Sequence, residues 1–439
     1  MTMATVHVIG AGLSGLSAAV RLADAGFAVR VYEGAGQAGG RARSYFDEAL
    51  QCTIDNGNHL LLSGNRSAMA YLDLIGSRGS LAGPDDAAFP FYDLKTDERW
   101  TVRMSKTALP VWVFDPAARV PGTRPIDYAA TLKLFTAGRD ATVESVLGPK
   151  GALYERFWEP MAVSVLNTPP DRASARLLVP VLLETFGRGA AACRPRIARE
   201  GLSESFVTPA LSFLHSHGVE VRFGQRLTAL ETAGDRVSGL VFSRGAVAVE
   251  PEDRVVVALP SWVAGGIVPG LKAPQASYPI VNVHYRLPAA VGEGTPSLLG
   301  MVGGITHWLF VRGRIASVTV SAAEALAAQD AETIAAKIWS EVARALGNAG
   351  MAQPPARVVK ERRATFAQDP ASLRLRAKTR TQFRNLVLAG DWTDTGLPAT
   401  IEGAIRSGER AAAQLTRDLG ASRSARRSAG ATAPVSGHA

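Results

Sequence analysis

Residues 6–15 read VHVIGAGLSG. A short apolar strand leads directly into glycines with the spacing GxGxxG, and a helical pattern follows. In a β-α-β unit of this kind, Gly10 permits the tight turn and Gly12 lets the main chain approach a pyrophosphate. Gly15 allows the helix and the strand to pack closely. The stretch therefore predicts a phosphate-binding turn at the start of an α/β domain.

A second predicted strand at residues 28–32 is followed by Glu33. A carboxylate in this position can accept hydrogen bonds from the ribose hydroxyls of an adenosine. Leu13 and Ser14 open the intervening helix, whose free N–H groups and partial positive charge would face the phosphates. These features predict a dinucleotide site, but they do not distinguish NAD from FAD.

The glycines that follow favour FAD. Gly39, Gly40 and Arg41 begin the segment GGRARS, which resembles the GG-R-x-x-S/T segment after the Rossmann unit of flavin amine oxidases and carotenoid desaturases. Glycines there let the main chain run close to the cofactor phosphates. Arg41 can add a charge-assisted hydrogen bond. The segment therefore predicts FAD as the dinucleotide.

A second match lies near the other end of the chain, in residues 386–404. LAGDW follows a predicted buried strand, PATIEGA opens a helix, and together they resemble the closing FAD motif of the same superfamily. The resemblance implies that Gly390 and Asp391 contact the ribityl chain or the pyrophosphate. It also implies that Thr400 and Ile401 bring a helix N-terminus to the flavin. The dipole of that helix would stabilise the negative charge of reduced flavin.

Two further predictions concern how the FAD is held. Leu227 follows a predicted strand, where the superfamily packs the adenine; an edge-strand leucine is the alternative. The flavin is predicted to be bound non-covalently. No cysteine lies near the C-terminal motif, and neither His7 nor His59 is part of a clear attachment motif.

The composition argues against several classes of protein. Of 439 residues, 47% are hydrophobic, and no apolar run reaches the roughly 18 residues that span a bilayer. Cys52 and Cys193 are far apart, so we expect no disulfide framework, redox pair or metal site. The net charge is +9, with nine Lys or Arg among residues 357–384; no motif for nucleic acid accompanies it. The early strand leaves no room for a signal peptide, and a cytoplasmic protein is expected.

Predicted strands and helices alternate at both ends of the chain, and the middle has a different composition. We therefore expect an α/β fold: a discontinuous Rossmann-like FAD-binding domain with an inserted α+β substrate domain, similar to that of amine oxidases. The FAD-binding domain is predicted at residues 1–71, 203–265 and 385–419. The substrate domain is predicted as a helical part at 72–202 and a sheet-plus-helix part at 266–384. Residues 420–439 are predicted to be disordered.

Two stretches narrow the class of enzyme. Residues 54–65 read IDNGNHLLLSGN, and the inserted part carries FWEP at 157–160 and LNTPP at 166–170. Together with the FAD motifs they resemble the hydroxysqualene dehydroxylases, over the whole chain except its tail. The resemblance implies that Gly57 and Asn58 belong to the cofactor site. It also implies that hydroxysqualene and reduced flavin give squalene and water, in squalene and hopanoid biosynthesis, with an external electron donor.

Other functions of this fold remain open at the level of sequence. A carotenoid or phytoene-type desaturase would need the same cofactor and an apolar tunnel. Many amine oxidases place a lysine near flavin N5 on a strand, and the comparable residues 278–287, YPIVNVHYRL, contain none. Non-catalytic prenyl-binding proteins of this fold generally lack an intact FAD fingerprint, which this chain keeps.

His59 and Asp55 are the predicted catalytic residues. Cleavage of an allylic C–O bond needs a general acid near the hydroxyl in a dry, apolar site. His59 is the first choice because histidine titrates near neutral pH. A structural histidine and a turn-capping aspartate are the alternatives. Trp158 and Trp392 are predicted to line the tunnel or to belong to the core.

The implied substrate is a long-chain isoprenoid that is almost insoluble in water. Residues 109–135 combine Trp and Phe side chains with Arg and Lys, as a segment that contacts a membrane surface would. A buried lid helix is the alternative. The positive net charge suits anionic lipid head groups, so we expect a peripheral contact with the inner face of the cell membrane.

Overall fold

The computed structural model describes residues 4–292 and 294–430, with residues 420–430 described by their backbone alone. The strands in chain order are β1 (Thr5–Ile9), β2 (Ala28–Tyr32), β3 (Ser44–Asp47), β4 (Cys52–Asp55), β5 (Leu61–Leu62), β6 (Leu81–Ala82), β7 (Ala88–Asp93), β8 (Arg99–Arg103), β9 (Pro195–Ala198), β10 (Glu220–Arg222), β11 (Leu227–Ala233), β12 (Arg236–Phe242), β13 (Gly245–Ala248), β14 (Arg254–Val257), β15 (Ser277–Arg286), β16 (Leu298–Val302), β17 (Trp308–Arg312), β18 (Ile315–Val320), β19 (Ala356–Phe366) and β20 (Leu386–Leu388).

The α-helices in chain order are α1 (Leu13–Asp24), α2 (Arg66–Leu74), α3 (Val143–Leu147), α4 (Glu159–Leu166), α5 (Leu178–Glu184), α6 (Ala190–Cys193), α7 (Thr208–Ser216), α8 (Ser261–Ile267), α9 (Glu324–Ala327), α10 (Ala331–Ala345), α11 (Pro370–Arg374) and α12 (Ile401–Gly430). Several 3-10 and π-helical segments lie between them, including Val111–Phe114 and Pro125–Thr136. Within the described ranges, no helix combines the length and the apolar character needed to cross a bilayer.

Strand β1 lies at the centre of a parallel five-stranded sheet with the order β10-β2-β1-β14-β20. Its residues Val6 and Val8 are fully buried, as expected for a sheet covered on both faces. The five strands come from the beginning, the middle and the end of the chain. The predicted α/β fold is therefore confirmed, and the turn after β1 occupies the expected place in it.

Helices α1 and α12 pack together and join the two ends of the chain. Ser17 Oγ donates a 2.8 Å hydrogen bond to the carbonyl oxygen of Ile405. Gly408 allows the close approach, because a Cβ there would lie 2.1 Å from the carbonyl oxygen of Ser14. Both predicted FAD motifs follow the carboxyl ends of parallel strands, and they meet at the same edge of the sheet.

The largest sheet has the order β19-β15-β18-β17-β16-β7-β8, and we call it the substrate sheet. Successive side chains of β15 point to opposite faces of it. Val281, Val283 and Tyr285 share a buried cluster with residues of α10, whereas Ile280 and Asn282 line a cavity. Helix α10 thus covers one face of the substrate sheet and leaves the other face to the functional site.

The helical prediction for residues 72–202 is only partly right. Strands β7 and β8 fall within it and join the substrate sheet. The aromatic residues of AFPFYD in β7 favour a strand. Strand β19 was not predicted either, because its many basic residues hide the strand pattern.

The C-terminal tail also differs from the prediction. Helix α12 continues to Gly430, so the described backbone of residues 420–430 is helical. This segment is rich in Ala and Arg, which favour a helix, and contains no proline. The rest of the predicted disordered tail, residues 431–439, lies outside the described residues.

Gly408→Ala should lower the free energy of unfolding by about 1–3 kcal/mol, because the added Cβ forces α1 and α12 apart. Gly266→Ala in α8 is the matched control: a Cβ there would meet nothing within 4 Å, and alanine favours a helix more than glycine does. Thermal unfolding of both variants is the measurement. A wild-type midpoint for Gly408→Ala would contradict the close packing of these helices.

Candidate active site

A cavity of about 640 Å³ extends from the glycine turn after β1 to the open face of the substrate sheet. Three predicted site residues, Gly15, Asp55 and Leu227, lie outside its walls. The others line it together: Gly10, Gly12, Leu13, Ser14, Glu33, Gly39, Gly40, Arg41, Gly57, Asn58, His59, Gly390, Asp391, Thr400 and Ile401.

The glycine segments form a cradle that fits a pyrophosphate. Gly10 has φ +103°, and a Cβ there would lie 2.6 Å from the carbonyl oxygen of Ala258, whereas a Cβ at Gly12 would meet nothing within 4 Å. The Gly39 amide donates a 2.8 Å hydrogen bond to the Ala11 carbonyl, which sets the second glycine segment beside the first. Helix α1 has no side-chain cap, so its first amides are free for phosphate oxygens.

Gly15 and Glu33 support this cradle from two sides. A Cβ at Gly15 would lie 1.8 Å from the carbonyl oxygen of Gly10, so only glycine allows the turn to close. Glu33 accepts 2.8 Å hydrogen bonds from the amides of Ala11 and Ala35, one to each carboxylate oxygen. These bonds fix the carboxylate at the cavity wall, where its remaining lone pairs can accept hydrogen bonds from ribose hydroxyls.

Arg41 connects three distant segments of the chain. Its Nη2 forms a 2.9 Å ion pair with Asp391 Oδ1, and its Nη1 donates a 2.5 Å hydrogen bond to the carbonyl oxygen of Ala364 in β19. The Asp391 side chain is only 9% exposed, so solvent screens this pair weakly. Both side chains line the cavity, and they present a paired charge to the cofactor rather than two separate ones.

The start of α12 lies at the cavity wall, as the C-terminal motif predicts. Thr400 Oγ1 accepts a 3.1 Å hydrogen bond from the amide of Gly403 and caps the helix. The preceding amides of the first turn have no partner within the helix and are available to a flavin. Glu402 has a role that the sequence does not reveal: its carboxylate accepts hydrogen bonds from the amides of Ser67 and Ala68 at the start of α2.

Leu227 does not line the cavity. It pairs with Phe242 across β11 and β12 and belongs to a buried apolar cluster that includes Tyr32. Strand β11 is an outer strand of its sheet, which agrees with the edge-strand alternative, and contact with an adenine stays a prediction. The two tryptophans are also core residues: Trp158 and Trp392 are buried away from the cavity, and Trp392 Nε1 donates to the carbonyl oxygen of Leu259 at 2.8 Å.

Asp55 is held away from the cavity by three partners. Its Oδ1 accepts hydrogen bonds from Ser44 Oγ at 2.6 Å and from the Leu202 amide at 2.8 Å. Its Oδ2 pairs with Arg312 Nη1 at 3.2 Å. A buried carboxylate with these contacts ties β3, β4 and β17 together. The geometry contradicts the predicted catalytic role of Asp55 and gives it a structural one.

His59 does line the cavity, but its protonation does not suit the predicted role. Its Nδ1 lies 3.0 Å from the carbonyl oxygen of Gly57; a carbonyl only accepts, so Nδ1 carries the proton. Burial lowers the pKa of His59, against a smaller opposing effect of this hydrogen bond. The ring is therefore neutral at neutral pH, and its Nε2 is an acceptor. In this state it can accept a hydrogen bond from a hydroxyl, and its Nε2 carries no proton for a leaving group.

A polar wall stands beside His59. Asn58 Nδ2 donates to Thr319 Oγ1 at 3.0 Å, and Thr319 Oγ1 donates to Asn282 Oδ1 at 2.8 Å. Asn58 Nδ2 also donates to the Val318 carbonyl at 3.3 Å. This chain of hydrogen bonds fixes the amide of Asn58 and leaves its oxygen as an acceptor. Asn282 and Thr319 were not predicted, although a buried asparagine in an otherwise apolar strand is a readable signal.

The face of the substrate sheet that lines the cavity changes from polar to aromatic across the strands. Thr319 lies opposite both Asn282 and Trp308 on its neighbouring strands, and cross-strand partners share one face. Beyond them lie Phe91 and, on β17, Phe310. Gly300 makes room for the Phe91 ring, since a Cβ there would lie 2.5 Å from it. One end of the cavity thus suits a polar group and the other a hydrocarbon chain.

The cradle for a pyrophosphate and the helix N-terminus for an electron-rich ring lie on the same side of this apolar cavity. The fold and the site therefore define a flavin-dependent oxidoreductase.

Comparison with known proteins agrees. The sequence matches the family described as Flavin containing amine oxidoreductase over residues 13–416. It is 47% identical to the hydroxysqualene dehydroxylase of Rhodopseudomonas palustris, over 93% of this chain and 97% of that protein. It is 45% identical to the hydroxysqualene dehydroxylase of Sinorhizobium fredii, with the same two coverages. The chain belongs to the hydroxysqualene dehydroxylase family, within the flavin containing amine oxidoreductases, and its cofactor is FAD.

More distant proteins share the fold. Cyclohexylamine oxidase from Brevibacterium oxydans superimposes with a TM-score of 0.70 at 16% identity, over 95% of this chain and all of that one. A probable zeta-carotene desaturase from Synechococcus elongatus is 23% identical over 93% of this chain and 97% of that protein. These similarities confirm the predicted amine-oxidase-like architecture.

Asp391→Asn should weaken FAD binding about tenfold or more, because it leaves the charge of Arg41 without its partner in a poorly solvated site. Titration of the apoprotein with FAD, followed by flavin fluorescence, measures the dissociation constant. Asp235→Asn is the control: it breaks the 3.3 Å pair with Arg384, in which both side chains are more than half exposed, and such pairs contribute little. Equal FAD affinity in the two variants would contradict the assignment of Asp391.

Proposed function

We propose that this protein removes the hydroxyl group of hydroxysqualene reductively and releases squalene and water. The main support is the continuous cavity, which extends from the cofactor cradle past a polar wall into a section lined by aromatic side chains. Hydroxysqualene has the matching shape: one hydroxyl on a long hydrocarbon. The identity of 47% to a protein named for this activity supports the same conclusion.

The side chains of the cavity fit the needs of the reaction. Asn58 Oδ1 and His59 Nε2 are acceptors that can hold the substrate hydroxyl by its hydrogen. Loss of that hydroxyl as water leaves an allylic cation, which Trp308 and Phe310 can face with their electron-rich rings. The same rings exclude water from the carbon. FAD, bound non-covalently and reduced by an external donor, supplies the hydride.

The polar wall favours this function over a carotenoid-type desaturation. A pure hydrocarbon would cover the Asn58 and His59 acceptors and give them no hydrogen bond, which costs free energy. A hydroxylated substrate supplies a hydrogen-bond donor to one of them. The chain also lacks a lysine on β15, so nothing in this strand suggests amine oxidation.

Anaerobic mixing of the reduced enzyme with hydroxysqualene should oxidise the flavin and form one squalene for each flavin. The flavin absorbance gives the rate, and extraction with chromatography identifies the product. Flavin that stays reduced in the presence of hydroxysqualene would contradict the proposal. Oxidised enzyme whose flavin is bleached by phytoene would instead indicate a desaturase.

We further propose that the substrate enters from a lipid surface. Residues 109–135 expose large apolar side chains, among them Phe114, Ile126 and Leu132, each at least two-thirds exposed: 68%, 69% and 67%. Exposed basic residues, including Lys106 and Lys133, accompany them. A buried lid is therefore the less suitable interpretation of this segment. Such a surface suits the boundary between acyl chains and anionic head groups.

Helix α5 connects this surface to the cavity. It packs against the segment Pro125–Thr136. Its residues Pro180 and Val181 line the cavity, whereas Leu183 is exposed. The hydrocarbon end of the cavity is therefore separated from the exposed apolar surface by one short helix.

Replacing Phe114, Ile126 and Leu132 together by Ser should weaken binding to anionic phospholipid vesicles about tenfold or more, since less apolar area is buried in the membrane. Co-sedimentation measures the binding. The control is a double variant, Phe46→Ser with Phe223→Ser, which removes exposed phenylalanines outside this segment. Equal vesicle binding by the two variants would argue against this membrane-contacting surface.

A further inference from the structure

Five carboxyl groups line the cavity, and backbone amides or ion pairs hold four of them. Glu33 accepts hydrogen bonds from two backbone amides. Asp391 pairs with Arg41, and both Glu184 and Glu402 pair with Arg406. Glu361 differs from them: among the described residues it forms no salt bridge, and its Oε2 accepts a 3.2 Å hydrogen bond from the neutral amide of Asn56. Arg41 attracts it electrostatically but directs its own hydrogen bonds to Asp391 and to the Ala364 carbonyl.

An irregularity in the substrate sheet places Glu361 in the cavity. Strands β15 and β19 pair Tyr278 with Thr365 and Ile280 with Glu361, so three residues of β19 lie opposite Pro279 alone. Proline has no amide hydrogen to continue the ladder, and the longer strand bulges there. Glu361 and Ile280, as cross-strand partners, point to the same face, and both line the cavity.

The neighbours of Glu361 locate it near the reacting end of the cavity. Asn56, its hydrogen-bond partner, directly precedes Gly57 and the acceptors Asn58 and His59. The same bulge offers the Ala364 carbonyl to Arg41, the residue that holds Asp391 at the cofactor cradle. The nearby Arg363 also lines the cavity, and its guanidinium lies 5.2 Å from the centre of the Trp262 ring. Glu361 therefore stands between the cradle and the polar wall.

We propose that Glu361 is the acid that protonates the leaving hydroxyl. This inference rests on the proposed function. The proton of the Glu361 carboxyl moves to the substrate oxygen, the C–O bond breaks with both electrons on oxygen, and water leaves. The allylic carbon is left positive and takes the hydride, which is the two-electron equivalent supplied by the external donor through the flavin. Solvent then returns a proton to the Glu361 carboxylate.

The arrangement explains why the other polar groups of the wall are acceptors. Neutral His59 and Asn58 orient the hydroxyl by its hydrogen, which leaves the oxygen lone pairs directed to an acid. A hydrocarbon that fills the cavity excludes water from the space around Glu361, so the carboxyl and the substrate oxygen can meet without water between them. After transfer, the new carboxylate lies beside the allylic cation and stabilises it by its charge.

Comparing the rates with two substrates distinguishes an acid at Glu361 from a residue that only supports the structure. The alcohol needs a proton to leave as water, whereas its acetate ester leaves as acetate without one. Glu361→Gln should slow flavin oxidation by hydroxysqualene about 10²–10⁴-fold, the usual contribution of a general acid. With the acetate ester, the variant should react within about twofold of the wild-type rate, because no proton transfer is needed at Glu361. Single turnovers of reduced enzyme under anaerobic conditions measure both rates.

Binding provides a readout that does not depend on turnover. Glu361→Gln should keep the wild-type flavin spectrum and bind hydroxysqualene to the oxidised enzyme with an unchanged dissociation constant, since the amide keeps the shape of the side chain. Glu332→Gln, at an exposed position of α10, is the matched control and should behave as wild type with both substrates. If the Gln variant loses its flavin, Glu361→Asp replaces it and should be slowed with the alcohol alone.

A Glu361→Gln enzyme that consumes the alcohol at the wild-type rate would overturn the proposal. Equal slowing with the alcohol and the ester would overturn it as well, since that pattern indicates a loss of positioning. A wild-type enzyme that reacts with neither compound would instead overturn the proposed function, and the role of Glu361 with it.

Discussion

The ion pair between Arg41 and Asp391 is the contact on which the active site depends. It joins the segment after the first β-α-β unit to the loop after β20 at 2.9 Å. Through the Ala364 carbonyl, Arg41 also holds the bulge of the substrate sheet. One guanidinium therefore sets the cofactor cradle, the C-terminal motif and strand β19 relative to one another. Its planar fork suits this task, because it can donate hydrogen bonds in two directions at once.

The two faces of the substrate sheet have different neighbours, because successive side chains of a strand point to opposite faces. Helix α10 packs on one face, and the other face lines the cavity. Along that face the side chains pass from Glu361 and Asn282 to Thr319, then to Trp308 and Phe91. The proposed substrate matches this order, with its hydroxyl at the polar end of the cavity and its hydrocarbon chain at the aromatic end. Pro279 adds the bulge that gives Glu361 its place, so one residue without an amide hydrogen shapes the reacting end.

Much of the cofactor site can be predicted from the sequence, because short glycine motifs have fixed backbone requirements. Gly10, Gly12 and Gly15 behave as their spacing indicates, and Glu33 and Asp391 reach the cavity. The catalytic residues cannot be predicted in this way. As free side chains, Asp55 and His59 could both act as acids. In the fold, Asp55 forms an ion pair with Arg312, and burial lowers the pKa of His59. Glu361 is hidden among basic residues, and only the register of β15 with β19 reveals it.

The proposed reaction replaces the hydroxyl with a hydride at the same carbon. A single turnover of reduced enzyme with hydroxysqualene in D₂O can follow this hydride, since the hydrogen on flavin N5 exchanges with solvent. Mass spectrometry and NMR of the squalene should find one deuterium, on the carbon that carried the hydroxyl. Squalene without deuterium, or with deuterium at another carbon, would rule out this replacement.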